Sequence, residues 1–299
     1  MSPPAYDRLH DNTMCPHQHS RDDSSLTDRL STHVGDESRL LDRARRASTA
    51  SELVVAPVQL HQRNLQRRLR EAARPQGGFA FTDPESIGRS VAREAGGTTR
   101  SLDRIDRLAL LGSLSPSESP PSPDDPGPSS GDARPTFRDR LGTGGDAGAR
   151  HVEQVRSTIE SMTNFHPDRI GALRAAARER RPPVDADAAA LVDAAVDAER
   201  ALRDRARGAV SRVDVLRRAT RDVDRTGGAA WTAAYPDIER VSIVGVSTLS
   251  APYVDLVCAV LATTTVDVEL HLRPGTGPFL DERLPALLAV DGPGREVFA

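Results

Sequence analysis

The chain has no lysine: all 40 of its basic residues are arginine. That excludes a Schiff-base lysine, a lysine general base and the phosphate-binding lysine of a P-loop. A GC-rich coding bias is the plain reading of the absence, and the chemical exclusion holds whatever its origin. Aromatic residues are also scarce, at 3%, and hydrophobic residues reach only 37%. Part of the 299-residue chain is therefore expected to stay unstructured, while the rest is long enough for one large domain or two small ones. Only two cysteines occur, Cys15 and Cys258, too far apart in sequence to suggest a disulfide framework, which suits a reducing cytoplasm. No apolar run approaches transmembrane length and no signal-peptide core is visible, so a soluble cytoplasmic protein without membrane contact is expected. Acids and arginines nearly balance, for a net charge of -3, so any nucleic-acid binding must come from local patches.

What is present is organised around Tyr235 to Leu272. Ile238 to Val244 is β-branched and apolar enough for a buried strand, and Gly245 is expected to stop it at a turn. Ser250 is placed to cap a helix from Ala251 to Ala262, whose apolar positions Val254, Val257, Cys258 and Leu261 recur at helical spacing. Val266 to Leu272 reads as a second strand. A strand, a helix and a strand within this span make a βαβ unit, hence a parallel sheet with its functional edge just past Val244. A nucleotide-hydrolysing unit of this kind carries a metal-binding acid there; this chain has Gly245, Val246 and Ser247.

Residues 1–30 are rich in Ser, Asp, His and Pro and read as a disordered tail. His10, Cys15, His17 and His19 lie within it, but no second ligand pair follows, so no metal or other cofactor is expected. Leu53 to Ala56 is a short apolar strand ended by Pro57, and a helical repeat follows through Leu60, Leu65 and Leu69. The cycle repeats with a strand from Gly78 to Phe81 and a helix opened by Thr82 or Asp83, with Ile87 and Val91 on its buried side. Ser101 to Leu111 reads as a further amphipathic helix. Pro and Ser dominate 115–135, a linker composition, and Gly142 to Gly148 is read as its flexible end rather than a phosphate loop. His151 to Arg181 and Asp185 to Thr226 are two long helical patterns read as an antiparallel pair. Between Glu199 and Arg225 stand nine arginines and five acids, which suit either a solvated helix laced with ion pairs or a DNA-tracking face.

The order of these elements resembles helicases of the UvrD/RecB type. Gly35-Asp-Glu-Ser-Arg-Leu-Leu falls where those proteins carry the glycine-rich phosphate loop. Leu53-Val-Val-Ala-Pro-Val-Gln-Leu looks like the Pro-x-Gln turn of AddB-type helicase/nuclease subunits, and Phe79-Ala-Phe-Thr-Asp-Pro-Glu resembles the next strand and helix start. Val241-Ser-Ile-Val-Gly-Val-Ser is similar to the AddB-type form of the metal-binding strand. The resemblance covers about 32–112 and 150–272. It implies an α/β fold, a parallel-sheet RecA-like core with an inserted helical subdomain. The expected divisions are a tail (1–30), the first part of the core (31–113), a linker (114–149), the helical insertion (150–228), the second part of the core (229–272) and a C-terminal segment (273–299).

Where the family has its second glycine, lysine and threonine, this chain retains only Gly35 and Ser38 as degenerate nucleotide-binding positions. The resemblance, set against these losses, implies an inactivated, non-catalytic helicase-like domain of a DNA break-processing system. Its implied partners are single-stranded DNA or a helicase/nuclease subunit, with DNA contacts at Gln59, Arg63, Arg67 and Thr82. The alternative from another class is an adaptor or oligomerising scaffold that binds no nucleic acid.

Overall fold

A computed structural model of the chain describes residues 28–113, 146–179 and 188–298. The first strand, β1 (Leu30–Val34), begins at the margin of the expected tail; with Ser31, Thr32 and His33 between Leu30 and Val34 it is too polar to register as an apolar run. Then come α1 (Ser38–Arg43), β2 (Glu52–Val55), α2 (Gln59–Glu71), β3 (Phe79–Thr82), α3 (Pro84–Glu94) and α4 (Arg104–Ser113). The insertion holds α5 (Asp146–Thr163), α6 (Pro167–Arg178), α7 (Ala188–Arg205) and α8 (Arg212–Arg225). After the short α9 (Ala229–Ala234) the chain closes with β4 (Arg240–Val246), α10 (Ala251–Thr263), β5 (Asp267–Leu272) and α11 (Gly277–Leu288). The expected tail cluster of His10, Cys15, His17 and His19 and most of the Pro/Ser linker lie outside the described residues.

Among the described residues the strands form one parallel sheet in the order β1-β5-β4-β2-β3. Side chains alternate across it. Leu53, Val55, Val241, Ile243, Val268 and Leu270 face a large core closed by residues of α3, α8, α9 and α10, with Trp231 fully buried among them. The other face carries a smaller core of Val54, Phe79 and Val244 under Leu40 of α1 and Leu65 and Leu69 of α2. Helices on both faces explain why Leu53 to Ala56 reads as an unbroken apolar run and why β4 is interrupted only by Ser242 between Val241 and Val244.

Gly245 does not end β4. It sits inside the strand with φ +69°, and the register against β5 slips between Val244 and Val246. The extra residue returns Val246 to the face of Ile243, where it joins the large core. Ser250 takes the cap position of α10 as expected, but its side chain makes no capping bond. Asp83, by contrast, caps α3 by accepting from the Ser86 N–H at 2.9 Å, with Pro84 in the first turn.

The two long helical patterns of the insertion resolve into four helices. Asn164 and Phe165, both at positive φ, turn the chain between α5 and α6, and Pro167 opens α6. The arginine-rich stretch carries the expected ion pairs along its helices, but its centre is not solvated. Arg217 is fully buried and pairs with Asp214 at 2.9 Å, Glu296 at 3.2 Å, Glu160 at 3.4 Å and Glu199 at 3.6 Å. Arg156 is equally buried against Glu153, Glu160 and Glu199. The pairs therefore run between helices as well as along them, and they form a buried ionic core for the insertion. The insertion meets the sheet domain through α8, where Gly88 of α3 lets the helices approach closely: a Cβ there would stand 2.8 Å from Leu216 Cα. Among the described residues no helix is long and apolar enough to cross a membrane.

Candidate nucleotide and nucleic-acid site

The carboxyl ends of parallel strands and the helix N-termini that follow them form the edge where α/β proteins of this architecture bind ligands. At one end of that edge β1 runs into Gly35, whose φ is +71° and whose N–H donates to the Leu272 carbonyl at 2.8 Å. In a phosphate loop the amides at the start of the next helix would hold an anion. Here that place is taken by the chain itself: the Asp36 carboxylate accepts from both the N–H of Ser38, at 2.9 Å, and its hydroxyl. The Ser38 hydroxyl and then its amide hold the Asp36 carboxyl below the usual carboxylate range. Glu37, next in the loop, pairs with Arg68 of α2, which brings a second acid to a loop built elsewhere for phosphate. Gly35 and Ser38 thus stand together, as the sequence suggests, but around a carboxylate.

The end of β4 is altered in a complementary way. A Cβ at Gly245 would lie 2.8 Å from the His61 ring, so the imidazole occupies the space that a metal-binding acid would need. The Arg273 guanidinium, just past β5, donates to His61 Nε2. Where a nucleotide-hydrolysing unit would hold a cation-binding carboxylate, this chain sets an imidazole and a guanidinium.

Beneath the loop a polar seam crosses the sheet. Arg43 of α1 makes a two-pronged bond to Glu52 at 2.9 Å on each side and reaches Glu269 at 2.8 Å, while the buried Ser242 hydroxyl donates to Glu52 at 2.6 Å. His271 Nδ1 donates to the Asp36 carbonyl at 2.9 Å, and its Nε2 lies 3.4 Å from Glu269. Burial alone would raise the Glu269 carboxyl, but His271 and Arg43, then Arg240, pull it down to about 2. A depressed carboxyl stabilises the fold above its unfolded value, near 4.3, and that contribution is lost as pH falls toward 2. Glu269→Gln is therefore expected to flatten the acid limb of stability between about pH 4 and pH 2. Urea melts at stepped pH would show this; an unchanged acid limb would mean that Glu269 is not held by the seam.

The other end of the edge carries the residues that the resemblance marks for DNA. Gln59 opens α2 after β2, and Arg63 one turn on donates to its Oε1 at 3.4 Å. Arg67 follows on the same helix, paired with Glu71 at 2.9 Å; both side chains are exposed. Thr82 closes β3, its hydroxyl directed to the Asp83 carbonyl at 3.4 Å. The structure brings Gln59, Arg63 and Arg67 onto one helix and sets Thr82 at the end of the neighbouring strand, with the Gly35 loop at the far end of the edge. Residues 35–74 hold nine arginines against five acids in a chain of net charge -3, so this flank is locally basic.

Sequence reasoning does not single out Phe279, in the first turn of α11. It is 58% exposed, with the Arg283 guanidinium 3.6 Å from its ring centroid. Val34, Val58 and Leu60, also exposed, lie on the same edge. The one signal for it is scarcity: an aromatic directly after Gly-Pro in a chain with so few aromatics.

An all-parallel sheet that opens through a glycine turn into a helix, with a helical insertion ahead of the last two strands, defines a RecA-like α/β core. The chain belongs to the halobacterial UvrD-like protein family, whose model matches residues 16–299, and it is a helicase-like protein. No curated protein is similar enough to count as a relative.

Proposed function

We propose that this helicase-like chain does not hydrolyse ATP and binds single-stranded DNA along the carboxyl edge of its sheet, as an accessory to break processing by a helicase/nuclease partner. The Asp36 carboxylate on the Ser38 amide and hydroxyl carries the reading, because an anion already fills the phosphate position. Phosphoryl transfer of the P-loop kind places a lysine and a metal ion on the developing charge, and this chain has neither the phosphate-loop lysine nor an acid at Gly245 to hold the metal. The basic flank from Arg63 to Arg74 and the exposed Phe279 support the DNA part, since guanidiniums track phosphates and an open ring stacks on any base.

ATP turnover is expected at background with and without oligothymidine; turnover abolished by altering Gly35 or Ser38 would refute the first half of the reading. For the second half, Arg63→Ala with Arg67→Ala is expected to weaken oligothymidine binding and to lower its salt slope by about 0.7 for each phosphate that is no longer neutralised. The exposed Arg67–Glu71 pair is weak enough to exchange its carboxylate for a phosphate. Fluorescence anisotropy at several salt concentrations measures both quantities. Affinity and slope unchanged in the double variant would remove α2 as a DNA surface and favour a protein partner on Val58, Leu60 and Phe279.

A further inference from the structure

The segment after α11 has no regular secondary structure from Asp291 to Phe298, yet it is drawn into the fold: Pro293, Gly294 and Glu296 are buried, Val297 and Phe298 are half-buried and Arg295 is exposed. Glu296 accepts from Arg203 at 3.0 and 2.7 Å and from Arg221 at 2.9 Å, with Arg217 Nε 3.2 Å away. Val297 donates its N–H to the Phe165 carbonyl at 3.0 Å, and Phe298 meets the Phe165 ring edge-on at 5.3 Å while the Arg203 guanidinium lies 4.5 Å from its centroid. At Gly294, φ is +80° and a Cβ would stand 2.8 Å from the Arg217 carbonyl, so only glycine passes there. A backbone anchor, a charged pocket, an aromatic shelf and a glycine gate are the components of a peptide-recognition groove.

We propose that Gly294–Phe298 is a latch, a peptide bound in cis, and that the groove on α7, α8 and the α5–α6 turn releases and rebinds it. The groove survives when empty because its cations keep other partners. Arg217 retains Asp214 and Glu160, and Arg203 retains Asp214 and Glu199, so the departure of Glu296 strands no buried guanidinium. The latch itself leans on few backbone bonds, which places it among the segments that open locally before the fold does. While closed it ties the insertion to the sheet domain, for Gly294 also donates its N–H to Asp255 of α10 at 3.4 Å.

The test uses the full chain carrying Glu296→Ala and Phe298→Ala, and a fluorescent peptide with the sequence of residues 291–299. Saturable binding to this variant, absent with the unaltered chain and absent when the peptide's own glutamate is alanine, is the expected result. No binding by a variant with an unaltered circular-dichroism spectrum would overturn the proposal. Should the double variant fail to fold, hydrogen exchange on Glu296→Gln decides. Loss of protection at the Val297 amide while β4 keeps its protection supports a latch; uniform loss across the sheet marks a fixed part of the core and overturns it.

Discussion

Replacing Arg217 by alanine is expected to cost about 3–5 kcal/mol, the penalty for breaking a buried ion pair from one side. The substitution removes the one cation shared by Asp214, Glu160, Glu199 and Glu296 and leaves them to the arginines at their margins, and two of those acids, Asp214 and Glu199, have no exposed side-chain surface. Burial opposes the guanidinium charge, but the surrounding carboxylates outweigh it and raise the Arg217 pKa above its ordinary value. The matching control is Arg67→Ala, whose exposed pair with Glu71 is worth about 1 kcal/mol or less. The two should also diverge with salt. At 1 M the screening length is about 3 Å, so the exposed pair fades while the buried one, shielded from solvent, persists. Urea melts of both variants in low and high salt measure this. An Arg217→Ala variant within about 1 kcal/mol of the unaltered chain would show that the network contributes no more than a surface pair.

Restoring an acid at the end of β4 is expected to harm the protein rather than revive it. Gly245→Asp must place a side chain at φ +69°, which costs about 1–2 kcal/mol, and push aside the His61 ring 2.8 Å away, which adds about 1–3 kcal/mol of overpacking. A net loss of about 2–5 kcal/mol with no ATP turnover is therefore anticipated. Thermal melting and a phosphate-release assay are sufficient. A variant as stable as the parent that hydrolyses ATP would overturn the reading of this edge as inactivated.

These expectations rest on features that differ in how far the sequence discloses them. The β4–α10–β5 unit is legible because β4 is mostly apolar, β5 alternates Val268, Leu270 and Leu272 with polar residues at the period of a strand, and the helix repeats at its own period. The strands around Leu53 and Phe79 are legible for the same reason, and α2 and α3 follow from the proline and the cap that open them. β1 is not: its Ser31 and His33 look outward in sequence, and only the partners across the sheet, Glu269 and His271, make them interior. The altered phosphate loop is visible as missing residues. That the Asp36 carboxylate turns back onto the Ser38 amide depends on a local turn, and the seating of His61 over Gly245 joins positions far apart in the chain. The buried ionic core is hidden for a related reason. Arginine and acid at three- and four-residue spacing look the same whether a helix faces water or another helix, and Glu296, which completes the cluster, lies outside the insertion altogether.

The position of β1 bears on how the chain reaches its fold. This first described strand pairs with the last, Leu30 against Val268, so the edge of the sheet joins residues separated by nearly the whole described chain. Closing so long a loop costs entropy before the strand returns any of it, and topologies rich in such distant pairings fold slowly. On a ribosome β1 has no sheet partner until β5 emerges, whereas the helices of the insertion can settle on one another beforehand. Docking of β1 is therefore expected to come late in folding, and the loop carrying Gly35 and Asp36 to be among the last of the described parts to take shape.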